Sequence, residues 1–293
     1  MDLSTFFVSV FTFTDDWFQQ RAWQLRQRDP QPMLADSEVL TIEVVGAFLG
    51  ISTNKGTFTY FRRHWAHFFP ELRNVHRTTY VRQSANLWHV KMLLWRELLR
   101  HSHFDLAFHI IDSMPVPVCR FARATYCRRL RTVSAYDHDE VARQKFFGLR
   151  AHLRIAWPGV ITDFELAPAN VHELTVAESL LGGLSGWTLG DRNYWSPKLM
   201  ERLREHDLHL LAPFSLRSKE KHRWPTELKH KRYRIETVIS QLVERFQAKR
   251  VWAKDLWHFC SRWLRRILSH TLAVYLCQQN GVSSLRFANL LID

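Results

Sequence analysis

Apolar positions recur at helical spacing through roughly the first hundred residues, then give way to short apolar runs from Leu106 onward. "ADSEVLTIEVVGAFLG" sets Leu40, Val44 and Phe48 one turn apart, with Asp36 or Ser37 as candidate N-cap and Gly50 as stop. "NKGTFTYFRRHWAHFFP" continues with aromatic residues to Pro70, and "RTTYVRQSANLWHVKMLLWRELLR" predicts a further helix. Together they carry Arg62, Arg63, Arg73, Arg77, Arg82 and Lys91, a set that suits a small helix-turn-helix-like module. The expected division is a helical domain over 1–104 and a second domain over 105–293.

In the second part the run Leu106–Ile111 predicts a largely buried strand ending at Asp112, stopped by Pro115 and Pro117. Arg120 to Lys145 has little apolar pattern and reads as an exposed basic loop. "FFGLRAHLRIAW" and "GVITDFELAPA" read as a hairpin turning at Pro158-Gly159. Asn170 and Glu173 fit a capping-box-like helix start, and Gly182-Gly183 its end. "WTLGD" is a strand ending in Asp191, Ser196-Pro197 open a helix, and "LHLLAPF" is another strand. Long helices follow near 229–249 and 258–279. The order predicts an α/β fold, a mixed sheet with helices on its faces.

Charge narrows the class. Lys and Arg number 41 against 28 Asp and Glu, a formal +13, which points to a polyanionic partner, most simply nucleic acid. No apolar run approaches the length of a membrane span, and the N-terminus lacks the basic leader of a signal peptide. The four cysteines form no C-x-x-C pair, so reduced thiols are expected rather than a zinc site. Arg120 and Arg123 in the first basic loop, and Lys221, Arg223 and Trp224 in a second, are candidate DNA contacts; Trp224 offers a stacking face.

Asp112 and Asp191 present the same situation twice: a short apolar strand, then a carboxylate. Two strand-end aspartates of one sheet can lie side by side however far apart they are in sequence. A third carboxylate is available in "HKRYRIETVISQLVERFQAKR". There Ile235, Val238, Ile239, Leu242 and Phe246 form the apolar stripe, with Glu236 at its margin and Arg232 one turn earlier. Hard divalent cations prefer carboxylate oxygens. Two Mg²⁺ (or Mn²⁺) ions about 4 Å apart can activate the attacking oxygen and stabilise the leaving oxygen of a phosphodiester. An Arg232–Glu236 surface pair is the plain alternative for the helix taken alone.

The blocks "IIDSMPVPVCRFARA", "AHLRIAWPGVITDFELAPANVHE", "LGDRNYW" and "RYRIETVISQL" resemble those of DDE insertion-sequence transposases, nearest to insertion-sequence group 982, over about 105–275. "DSEVLTIEVVGAFLGI" and "RTTYVRQSANLW" are similar to the same group. The resemblance implies an RNase H-like catalytic domain with Asp112, Asp191 and Glu236 as catalytic and metal-binding residues. Arg232 matches the arginine of the final motif and Tyr194 the aromatic residue after the second aspartate, both toward DNA. Two departures stand out. Asn193 occupies a position where glycine is usual, and Val243 one where related groups carry lysine. It further implies cleavage at terminal inverted repeats, strand transfer into target DNA, a homodimer on double-stranded DNA, and a cytoplasmic, nucleoid-associated location without membrane contact. A nuclease that hydrolyses without joining, or a DNA-binding protein without catalysis, are the competing expectations.

Overall fold

The computed structural model describes residues 1–21, 31–214 and 224–291. Backbone packing divides them into two units, Met1–Ser102 with Gln241–Asp293, and His103–Ser240. The segment from Gln241 on thus packs with the N-terminal helices rather than with the strands.

The first unit begins with α1 (Leu3–Gln19), α2 (Asp36–Phe48), α3 (Asn54–His64), α4 (Arg77–Asn86) and α5 (Trp88–His101). Helix α2 starts one residue earlier than its side chains suggest. Ala35 is the N-cap, because the Glu38 carboxylate reaches back to accept its N–H at 2.8 Å. Gly50 ends it with φ +78°, the left-handed conformation glycine adopts freely. The single helix expected from Arg77 onward is two helices, broken at Leu87. The Ser84 carbonyl accepts from Lys91 Nζ and Ser261 Oγ at 2.9 Å each, so it is committed to side chains at the break. Lys91 is therefore a fully buried residue, not part of a basic surface.

The second unit holds a six-stranded sheet ordered β2-β3-β1-β5-β6, with β4 beside β3. The strands are β1 (Phe108–Pro117), β2 (Ala135–Asp139), β3 (Gln144–Ala156), β4 (Val160–Pro168), β5 (Gly186–Leu189) and β6 (Leu208–Leu211). Strands β3 and β4 form the expected hairpin. β1 pairs antiparallel with β3 along His109–Pro117, but parallel with β5 only along Phe108–Ile110.

That asymmetry corrects the expectation that the prolines end β1. The strand runs through Pro115 and Pro117, and Asp112 lies in its middle. The Val118 N–H bonds Phe147 of the β3 side, so by alternation positions 115 and 117 would point their missing N–H groups at the edge that β5 has already left. No ladder bond is lost there. A second correction is β2, inside the stretch read as a loop. Its partners on β3 supply the apolar surface; the Tyr136 ring packs 4.8 Å from Phe147. Ahead of it, Phe121–Tyr126 form a 3₁₀ turn.

Helices α6 (Glu173–Leu181) and α7 (Pro197–Arg204) cover one sheet face, burying Ala177, Leu180, Leu199 and Leu203 with Ile111, Leu208 and Leu210. Ser196 caps α7 as expected. His172, not Asn170, caps α6 by accepting from Leu174 N–H at 3.2 Å. Helix α8 (Thr226–Glu244) buries Ile235, Val238 and Leu242.

Helix α9 (Leu256–Gln279) is buried nearly all round within the first unit. Its Arg265 joins Lys91 at the fully buried Glu43, at 3.5 and 2.5 Å. Arg266, equally buried, donates to the carbonyls of Phe246, Arg262 and Arg250. No helix among the described residues is long and apolar enough to cross a membrane.

Candidate active site

The parallel pairing of β1 and β5 builds the site. Its last paired positions are Ile110 and Leu189. Asp112 and Asp191 each lie two residues beyond, so both leave the end of the same ladder with the same parity. Gly190 makes room for the turn: a Cβ there would stand 2.8 Å from Tyr194 Cβ. Asp191 then caps the short 3₁₀ turn Arg192–Tyr194 by accepting from Asn193 N–H at 2.9 Å.

The two aspartates have little neutralising charge. Burial, followed by the negative charge of Asp191, pushes the Asp112 carboxyl up to about 7; its side chain is 18% exposed. Burial and then the charge of Glu173 push Asp191 up to about 6. Each effect disfavours the anion. The Ser113 N–H, bonded to Asp112 Oδ1 at 2.7 Å, and Arg232 oppose the shift without cancelling it.

Helix α8 brings in the third carboxylate. Arg232 Nη1 lies 3.4 Å from Asp112 Oδ2, and its Nη2 donates to Glu236 Oε1 at 2.5 Å. Glu236 is more open than Asp112, 43% exposed against 18%. The arginine thus bridges Asp112 and Glu236, and the surface-pair reading describes only half of what it does.

A fourth carboxylate, read from the sequence only as part of a helix start, joins them. Glu173, the first residue of α6, is buried and accepts a short 2.5 Å hydrogen bond from Ser113, the neighbour of Asp112. Arg150 of β3 donates to Ser113 Oγ at 3.2 Å, approaches Glu173 at 3.8 Å and pairs with Asp137. Beside them His152, opposite Ser113 in the ladder, is wholly buried, and burial pushes its imidazole down to about 4. Neither His152 ring nitrogen has a hydrogen-bond partner among the described residues. The only sequence signal for Glu173 was its place in a helix's first turn, where acidic residues are commonplace.

The remaining expected residues are scattered. Tyr194 is fully buried beneath the carboxylates, its hydroxyl without a hydrogen-bond partner among the described residues. Arg120 and Arg123 are exposed at the 3₁₀ turn, and Trp224 is half-buried before α8. Lys221 and Arg223 lie outside the described residues.

The donor set is all carboxylate oxygen, the chemistry a hard divalent cation takes. Two of these groups carry pKa values that such a cation would lower. Among the described residues no three potential ligands converge closely enough to hold an ion, and Arg232 stands between Asp112 and Glu236. The residues fit a metal in kind, with Arg232 holding part of the cation's place.

No curated protein matches the chain. A cryo-EM structure of the piggyBac transposase synaptic complex with hairpin DNA is similar, with a TM-score of 0.49, 8% identity, and coverage of 96% of this chain and 76% of that one. The family model of the transposase DDE domain matches residues 105–251, half of the sequence and all the carboxylates above, and the chain belongs to that family.

Proposed function

We propose that the protein is an insertion-sequence transposase, nearest to group 982, that cuts DNA at element ends and joins the freed strand to target DNA. The observation that carries the reading is the matched offset of Asp112 and Asp191 beyond the β1–β5 ladder, with Glu236 linked to Asp112 through Arg232. The strand order supports an RNase H-like reading of the sheet: three antiparallel strands on one side of β1's parallel partners.

Transposase DDE domains generally use divalent metals. Bound by Asp112, Asp191 and Glu236, two Mg²⁺ or Mn²⁺ ions would activate the attacking oxygen and stabilise the leaving oxygen of the phosphodiester. The chain's own residues prepare that chemistry. Ser113 N–H orients Asp112, Asn193 N–H orients Asp191, and Arg232 holds Glu236 toward Asp112. The planar, always-charged fork of Arg232 also suits a DNA phosphate beside the cut. Glu173 anchors the middle of β1 at Ser113 through a hydrogen bond and adds to the local negative field. In this reading the helical unit and the exposed Arg120 and Arg123 engage the terminal repeats and target as duplex DNA, with two copies of the chain on one DNA, at the nucleoid. Tyr194 supports the site from below rather than touching DNA.

The test is cleavage and strand transfer on repeat-ended DNA with Mg²⁺ or Mn²⁺. Asp112→Asn, Asp191→Asn and Glu236→Gln should each lower both by more than about a hundredfold while DNA binding in EDTA persists. Full activity in any of them removes that residue from the site. Cleavage without joining by the intact protein would favour the nuclease reading.

A further inference from the structure

Within the helical unit lies a pocket of about 570 Å³, remote in kind from the carboxylate site. Its walls carry five cationic side chains, Lys55, Arg77, Arg82, Arg250 and Arg262, and no carboxylate among the described lining residues. Two helices start at its rim. Thr53 caps α3, and Arg77 and Thr78 open α4. Helix N-termini direct N–H groups and positive potential toward whatever sits before them. Val81, Val251 and Trp252, which is 46% exposed, add apolar surface to the lining.

The rims are held in place from beneath. Arg265, anchored at buried Glu43, donates to Asn54 Oδ1 at 2.9 Å and to the Ser52 carbonyl at 3.1 Å. Arg262 donates to the carbonyls of Val251 and Trp252 at 3.3 and 2.5 Å. Its Nε is buried and has no hydrogen-bond partner among the described residues. Glu43 and Asp255 act on Arg262 from outside the lining, but the lining itself holds five cations and no carboxylate, a surplus that an anion would complete. The space also exceeds a bare phosphate, and the lining includes an exposed indole.

We propose that this pocket binds one nucleotide of a DNA strand, its phosphate at the arginines and helix ends and its base against Trp252. Stacking on an aromatic face tolerates any base, and the cations read only the backbone. The site therefore anchors DNA without choosing its sequence. It goes beyond the catalytic reading and does not depend on it, since no metal-centre residue takes part.

The experiment is fluorescence anisotropy of labelled single-stranded and duplex DNA with the full chain, in EDTA, across a salt series. Arg77→Ala/Arg82→Ala should weaken binding at least about tenfold and reduce the slope of log affinity against log salt by roughly 1.4 for single strands and 1.8 for duplex. A control pair, Arg96→Ala/Arg286→Ala, removes the same charge from exposed positions outside the pocket and should leave the slope unchanged. Trp252→Ala should lower single-strand affinity about tenfold and duplex affinity less. The thermal midpoint of each variant confirms folding. Equal effects from the two arginine pairs, or unchanged single-strand affinity in folded Trp252→Ala, would overturn the proposal.

Discussion

Both units bury charge, and they do so in opposite ways. In the helical unit Glu43 meets Lys91 and Arg265, and neighbouring polar groups such as Ser84, Asn54 and Ser261 take most of the remaining hydrogen bonds. In the sheet unit Asp112, Asp191, Glu173, Glu236 and Asp137 face Arg232 and Arg150. The first cluster draws its counter-charge and most of its hydrogen bonds from the fold itself. The second carries surplus negative charge, which its raised aspartate pKa values record. A fold accepts such a surplus where something outside the chain is to supply the missing cation.

The sharpest way to break this contrast is to unbalance the first cluster. Glu43→Gln leaves Lys91 and Arg265 buried without their anion, and should destabilise the protein by about 3–5 kcal/mol. Denaturant melts of the helical unit's signal would show it. A loss below about 1 kcal/mol would mean that the network is dispensable and the contrast false.

Within the sheet unit, Arg232→Lys keeps the charge and loses the planar fork that spans Asp112 and Glu236. Cleavage should fall roughly tenfold or more while DNA affinity changes little, because positioning and not attraction is lost. Proportionate losses in both would reduce Arg232 to one phosphate contact among many.

The smallest expected effect has the opposite sign. Asp112→Asn in EDTA should stabilise the protein, by about 1 kcal/mol or 2–4 °C at pH 8. The native carboxyl holds its proton up to about pH 7, whereas the unfolded chain releases it near the ordinary value of 3.8. Stability associated with this group is therefore complete below about pH 4 and declines as pH rises toward 7. The asparagine variant should gain nothing at pH 4 and most above pH 7. A gain independent of pH would trace to packing instead of charge.

Much of the catalytic unit could be read from the chain because its signals are local. A short apolar run ending in Asp191, a helical stripe with Glu236 at its margin, and a hairpin at Pro158-Gly159 all depend on neighbours in sequence. What escaped depends on partners far along the chain. Strand β2 reads polar because β3 supplies its apolar side. Prolines 115 and 117 looked like a stop because nothing local reveals that β5 pairs only three residues of β1. Lys91 looked like surface, since a lysine is buried only when a distant carboxylate such as Glu43 meets it. Glu173 reads as the capping-box partner of Asn170, but His172 is the cap and Ser113 donates to the Glu173 carboxylate.

The four-residue strand β5 has a bearing on which changes of length the gene can absorb. Asp191 owes its position to a fixed count from the ladder that ends at Leu189. One codon gained or lost between Gly186 and Asp191 would turn the carboxylate to the other face of the sheet, or carry it past the end. Between the two aspartates only the hairpin turn and the basic segment before β2 escape such accounting, because they can lengthen without moving the ladders. Scanning single-codon insertions through the sheet unit should therefore find intolerant residues beside Asp112 and Asp191 and within the paired strands, and tolerant ground at the hairpin turn and the basic segment before β2.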